Sequence, residues 1–130
     1  MKLLLLLLLV CSAAYARVGE KYSDFTKRIA QEEGAKKMGL GDIALATHQV
    51  NGMTVNLTIN NGEIVSESYS PIEQKMIENF FADQKLSLEK KAETATQINF
   101  AESKGGLLAV YKKEKKQLSI FTLTEFLKKK

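Results

Sequence analysis

Few side chains here have the types and spacing to do chemistry. The chain holds one histidine, His48, and one cysteine, Cys11. Nucleophilic catalysis needs an activated Ser or Cys beside a base, and a metal site needs several converging His, Cys or carboxylate ligands. No H-E-x-x-H pattern, Gly-rich phosphate loop or calcium loop is written in the sequence. No catalytic residue, no metal and no cofactor is therefore expected. His48 falls opposite Val55 on the inner face of a hairpin and reads as a buried, neutral, locally bonded imidazole. The competing reading is a small secreted enzyme using His48 as its base. Glu32-Glu33 and Glu63 with Glu67 are paired carboxylates of the kind used in acid–base work, but they read as solvated charge.

Recognition chemistry is better represented. Gln49, Thr54, Asn56, Glu67 and Tyr69 come together on one sheet face in the register deduced below, as a candidate protein-binding surface. Tyr offers a large contact area at low entropic cost, and amides and hydroxyls direct hydrogen bonds. Asn56-Leu57-Thr58 is also a glycosylation sequon. The basic character is confined to the C-terminal end: residues 17–111 carry 11 basic and 13 acidic side chains, and residues 112–130 carry 7 and 2. Those lysines lack arginine and aromatic interleaving, so nucleic acid is not an expected partner. Lys112–Lys116 read as a charged hairpin tip and Lys128–Lys130 as a tail.

The elements that must position these residues centre on Ile43–Tyr69, three antiparallel strands joined by Asn51-Gly52 and Asn61-Gly62, two-residue turns that need positive φ at both positions. Counting outward from the first turn pairs Val50 with Met53, His48 with Val55, Ala46 with Leu57 and Ala44 with Ile59, an apolar face. Counting from the second places Ile64, Ser66 and Ser68 on that face and Val65, Glu67 and Tyr69 on the polar one, with the third strand as an edge. Tyr22, Phe25 and Ile29 predict a helix over Lys21–Glu33, capped at Gly34. Ser70-Pro71-Ile72-Glu73 reads as an N-terminal cap for a second helix carrying Ile72, Met76, Ile77, Phe80 and Phe81. AKKMGLGD reads as a loop and KLSLEKKAET as a loop or a frayed extension of the second helix, with Met38 and Leu40 under the sheet. Three more strands follow at Thr96–Phe100, Leu107–Lys112 and Gln117–Leu123, the last two apolar on both sides. The expected fold is α+β, a single antiparallel sheet with two helices on one face, in the order helix, strands, helix, strands, with each half repeating an αβββ pattern.

Met1–Ala16 read as a secretion signal: Lys2, the apolar run Leu3–Val10, and the small-x-small site Ala14-Tyr15-Ala16. Val10 ahead of Cys11 is a poor lipid-attachment context, so no stable membrane anchor is expected. Cleavage after Ala16 leaves one domain, 17–130, without cysteine, and lowers the net charge from +4 to +3 as Lys2 departs. The expected location is secreted or periplasmic.

Val18-Gly19-Glu20, the helix with Phe25 and Arg28, and the hairpins after it resemble small exported bacterial domains of the SmpA/OmlA type and the related β-lactamase-inhibitor-protein-like fold. That resemblance implies a binding or inhibitory module without catalysis. Gln49-Val50-Asn51-Gly52, one residue shorter than the Gln-x-Val-x-Gly loop, is similar to cystatins and implies a cysteine-protease inhibitor. The functional expectation is a non-catalytic exported module that binds an unidentified protein. Homo-oligomers through the C-terminal hairpin are a further expectation, from Leu108, Val110 and Phe121 facing away from the other apolar row.

Overall fold

A computed structural model of the chain describes residues 16–37, 39, 42–103 and 106–122. The expectations for the leader, Met38, Leu40, Leu123 and Lys128–Lys130 lie outside or mostly outside these residues.

The two Asn-Gly turns form as expected. Asn51, Gly52, Asn61 and Gly62 all adopt positive φ, the left-handed geometry that matches the twist of the strands they join. They connect β2 (Ile43–Val50), β3 (Met53–Asn60) and β4 (Glu63–Ser70). The pairs Val50 with Met53, His48 with Val55, Ala46 with Leu57 and Ala44 with Ile59 are those the turn dictates.

Beyond that hairpin the register departs from simple counting. Thr58 pairs with Ser66 but Ile59 pairs with Ile64, so Val65 is an extra residue, a β-bulge. An extra residue moves every later side chain to the other face. Glu67 and Tyr69 are therefore buried, at 2% and 0% exposure, and Ser66 and Ser68 point away from the core. This corrects their expected faces. The third hairpin strand is not an edge either, because β4 pairs on its far side with β8 (Gln117–Thr122).

One antiparallel sheet of eight strands results, in the order β1-β2-β3-β4-β8-β7-β6-β5. β1 (Lys36–Lys37) and β5 (Leu88–Glu93) are its edges, in segments that read as loops from sequence. β6 (Gln97–Glu102) and β7 (Leu107–Lys112) complete it. Among the described residues two helices, α1 (Tyr22–Arg28) and α2 (Ile77–Asp83), pack on one face, and a single buried cluster runs beneath both. Side chains such as Phe25, Leu57, Leu118 and Ile120 in that cluster are almost wholly buried, each contributing about 1.5–3 kcal/mol by removal from water.

Both helices are shorter than periodicity suggests. α1 stops at Arg28 because Ala30 turns left-handed, φ 55°, while Ala30 N bonds Lys27 O and Gln31 N bonds Thr26 O, the two bonds of a Schellman cap. Gly34 is not the cap. α2 ends identically at Lys85, φ 58°, with Lys85 N on Ala82 O and Leu86 N on Phe81 O. The expected cap at Ser70 does not form: Ser70 ends β4, the Ser70-Pro71 bond is cis, and a 3-10 turn (Gln74–Met76) precedes α2. Ile72 is buried from the connecting loop, whereas Met76 is 47% exposed.

Each half is thus a helix and four strands, not three, and the halves meet through their last strands. Tyr22, Phe25 and Thr26 are the buried positions of α1; Ile77, Phe80 and Phe81 occupy the same places in α2.

Candidate functional site

The five residues singled out as a binding face divide between two sides of the sheet. Gln49 and Asn56 are exposed and Thr54 half-buried on the side opposite the helices; Glu67 and Tyr69 lie in the core. On the outer side, polar residues of neighbouring strands bond one another. Thr47 Oγ1 donates to Asn56 Oδ1 at 2.8 Å, Gln49 Nε2 to Thr54 Oγ1 at 3.0 Å, and Gln117 Nε2 to Ser68 Oγ at 2.6 Å. This face is bowed into a depression of about 430 Å³ that crosses β2, β3, β4, β8 and β7. Asn56, Thr58, Ser66, Ser68 and Ser119 line it, with Leu45, Val110 and Phe121 as apolar points. Residues from β4, β7 and β8 could not be assembled with Asn56 from sequence, because that needs the bulge and the β4–β8 pairing.

His48 sits in a chain of directed hydrogen bonds. Gln31 Nε2 donates to Gln49 O at 2.9 Å, which leaves Gln31 Oε1 to accept from His48 Nδ1 at 2.8 Å. Nε2 then accepts from the Tyr22 hydroxyl at 2.7 Å, and that hydroxyl accepts from Gly34 N at 2.8 Å. The chain requires the neutral Nδ1–H tautomer. Burial lowers the imidazole pKa, and the Phe25 ring stands edge-on at 5.6 Å. Both ring nitrogens are occupied and neither by a carboxylate, so a base role would first have to break this chain.

Glu67 is the residue that sequence reasoning placed worst. Burial pushes its carboxyl well above the ordinary carboxylate range; the Tyr69 hydroxyl, 3.1 Å away, acts in the opposite sense. A cavity of about 120 Å³ adjoins it, lined also by Arg17, Val18, Gln84 and Leu86. Gln84 Nε2 is buried without a hydrogen-bond partner.

A cleft of about 710 Å³ opens between α2 and the β5 edge, with Phe81, Ile98 and Phe100 as floor and Lys75, Glu78, Glu89 and Lys90 as rim. The sequence does not reveal it, because β5 reads as a loop. The expected lysine tip serves partly as ties: Lys113 Nζ reaches Glu93 at 2.7 Å and Lys116 Nζ reaches Glu73 at 2.8 Å. Among the described residues no group of three His, Cys, Asp or Glu is placed to hold a metal ion. No helix among them is long and apolar enough to cross a membrane.

No protein-family model matches the chain, and no curated protein or solved structure matches it either. The resemblances described above rest on their quoted residues alone.

Proposed function

We propose that this chain is a non-catalytic exported module that binds or inhibits another protein through its outer sheet face. The observation that supports the reading is the depression across five adjacent strands, with Leu45, Val110 and Phe121 set among Ser, Thr and Asn. Apolar points within a polar, hydrogen-bonding surrounding are the composition of a protein-recognition patch. The side chains are already paired across strands, so little rotamer freedom remains to be lost on binding.

The test is affinity capture from the native exported fraction with the wild-type chain and an Asn56→Arg/Ser119→Arg variant. Both positions point outward, so the variant keeps the wild-type melting temperature. A partner held by the wild type and weakened by at least about tenfold in the variant supports the reading. Identical retention by both makes the face plain solvated surface. Tyr69→Ala does not serve as the control, because it empties a core position.

A further inference from the structure

The cavity beside Glu67 lies next to Arg17 and Val18, the residues that follow Ala16. Ala16 is fully buried, and its carbonyl oxygen accepts from the Tyr69 hydroxyl at 3.1 Å. The same hydroxyl stands 3.1 Å from Glu67 Oε2. One hydroxyl proton can serve only one of these acceptors. With Ala16 in place, both acceptors are served when Glu67 is protonated and donates to the Tyr69 oxygen, whose own O–H then donates to Ala16 O. Gln84 Nε2, a donor facing the same cavity, stays unmatched.

Removing Ala16 inverts this count. An acceptor leaves, and the Arg17 nitrogen, one bond from the Ala16 carbonyl carbon, becomes an ammonium with three N–H groups and a positive charge. We propose that hydrolysis of the Ala16–Arg17 bond, at the small-x-small site Ala14-Tyr15-Ala16, frees an α-ammonium that seats in this cavity as the buried partner of the Glu67 carboxylate. A leader-removing peptidase supplies the step. Water adds across the amide, the Ala16 carbon departs with the leader as a carboxylate, and the Arg17 nitrogen ends as the ammonium. Glu67 releases its proton to solvent, and its carboxylate accepts from the ammonium, Tyr69 and the Gln84 amide.

The new terminus is held in place without residue 16. Gly19 N bonds Ile64 O at 2.7 Å, Glu20 N bonds Arg17 O at 3.0 Å, and Val18 packs against the core. The other charges that act on Glu67 are Glu20, which opposes its ionisation, and the Arg17 guanidinium, which favours it. Glu20 is itself paired with Arg28. Leu86, Leu107 and Ile120 make the remaining walls apolar; a low dielectric strengthens the attraction of the pair, and the Tyr69 and Gln84 hydrogen bonds help to offset the desolvation of both charges.

The signs of the pH dependence differ before and after cleavage. A chain that retains Ala16 loses stability as pH rises above the unfolded carboxylate value, near 4.5, because the folded state keeps its proton longer. In the processed chain a raised ammonium pKa holds stability through neutrality, and it is lost only as pH passes that folded value, above about 8.

The test begins with the full chain, expressed with its leader in a secreting host. Intact mass should place the terminus at Arg17; a product retaining Ala16 or starting elsewhere overturns the proposal. On that product, an NMR titration should put the α-amine pKa at least about one unit above its ordinary value near 8, and an ordinary value overturns it. Denaturant unfolding near pH 7.5 should show the free amine raising the folding constant by about tenfold per unit, relative to a chain retaining Ala14-Tyr15-Ala16. Glu67→Gln should destabilise the processed chain and stabilise the extended one; the same effect in both overturns the pairing. If Glu67→Gln does not fold, the amine titration alone decides.

Discussion

At the residue scale, His48 and Glu67 are buried under one sheet, and their contributions to stability depend on pH in opposite ways. Burial lowers the His48 pKa below its usual 6.5, so the folded state resists taking up a proton that the unfolded chain accepts. Its contribution to stability is full above about pH 6.5 and is lost as pH falls through the folded value. His48→Gln should flatten that acid limb in urea unfolding followed across about pH 5–7; an unchanged slope would mean that His48 is not its source. Tyr22→Phe deletes the hydroxyl that serves both His48 and Gly34. It should cost about 1–3 kcal/mol, since it strands the buried His48 nitrogen and also removes the Gly34 bond. His48 was legible as a core histidine because the Asn51-Gly52 turn places it opposite Val55. Gln31 as its partner was not, because residues 29–33 read as helix.

At the element scale, the helix ends carry most of what sequence misplaced. Both close through left-handed residues that are not glycine, Ala30 and Lys85, a conformation disfavoured for residues with a Cβ by about 1–2 kcal/mol. The bonds of the cap and the Gln31 contacts with His48 and Gln49 hold Ala30 there. Ala30→Gly should relieve that strain and raise stability by about 0.5–1 kcal/mol, measured as a higher urea midpoint at constant slope. A loss would mean that the unfolded-chain entropy of glycine outweighs the relief. Gly34, the cap that composition favoured, instead donates its N–H to Tyr22.

At the scale of the whole molecule, the strand order sets which surfaces are open. The C-terminal hairpin of β7 and β8 lies in the middle of the sheet, so its doubly apolar pattern has a simple cause. Ala109, Tyr111, Leu118 and Ile120 face the helices, and Val110 and Phe121 face the outer depression. Association through this hairpin must therefore use the outer face and not strand pairing. The edges carry Lys36, Lys37, Glu89, Lys90, Lys91 and Glu93, charges that discourage edge pairing. If copies self-associate, Val110→Lys should abolish the larger species in light scattering, whereas charge reversal along β5 should leave it unchanged. Loss through the β5 variant would instead place the contact at the edge. The cystatin-like reading meets a different limit here, since the loop between β2 and β3 is the two residues Asn51 and Gly52.

The sequence by itself determined what is local. Asn-Gly pairs accept positive φ at little cost, so two turns and the register of the first hairpin follow from four residues, and alternation then selects the buried side of β2 and β3. Helical spacing likewise located Tyr22, Phe25, Ile77, Phe80 and Phe81 as the side chains that meet the sheet. Only the tertiary structure decided the rest, because each part of it turns on distant partners. The bulge at Val65 lies in a strand that pairs with β3 on one side and β8 on the other, and it carries Glu67 and Tyr69 from the expected surface into the core. There, beside Ala16 and Gln84, they meet residues far away in the chain, and no period of two or 3.6 could have placed them together.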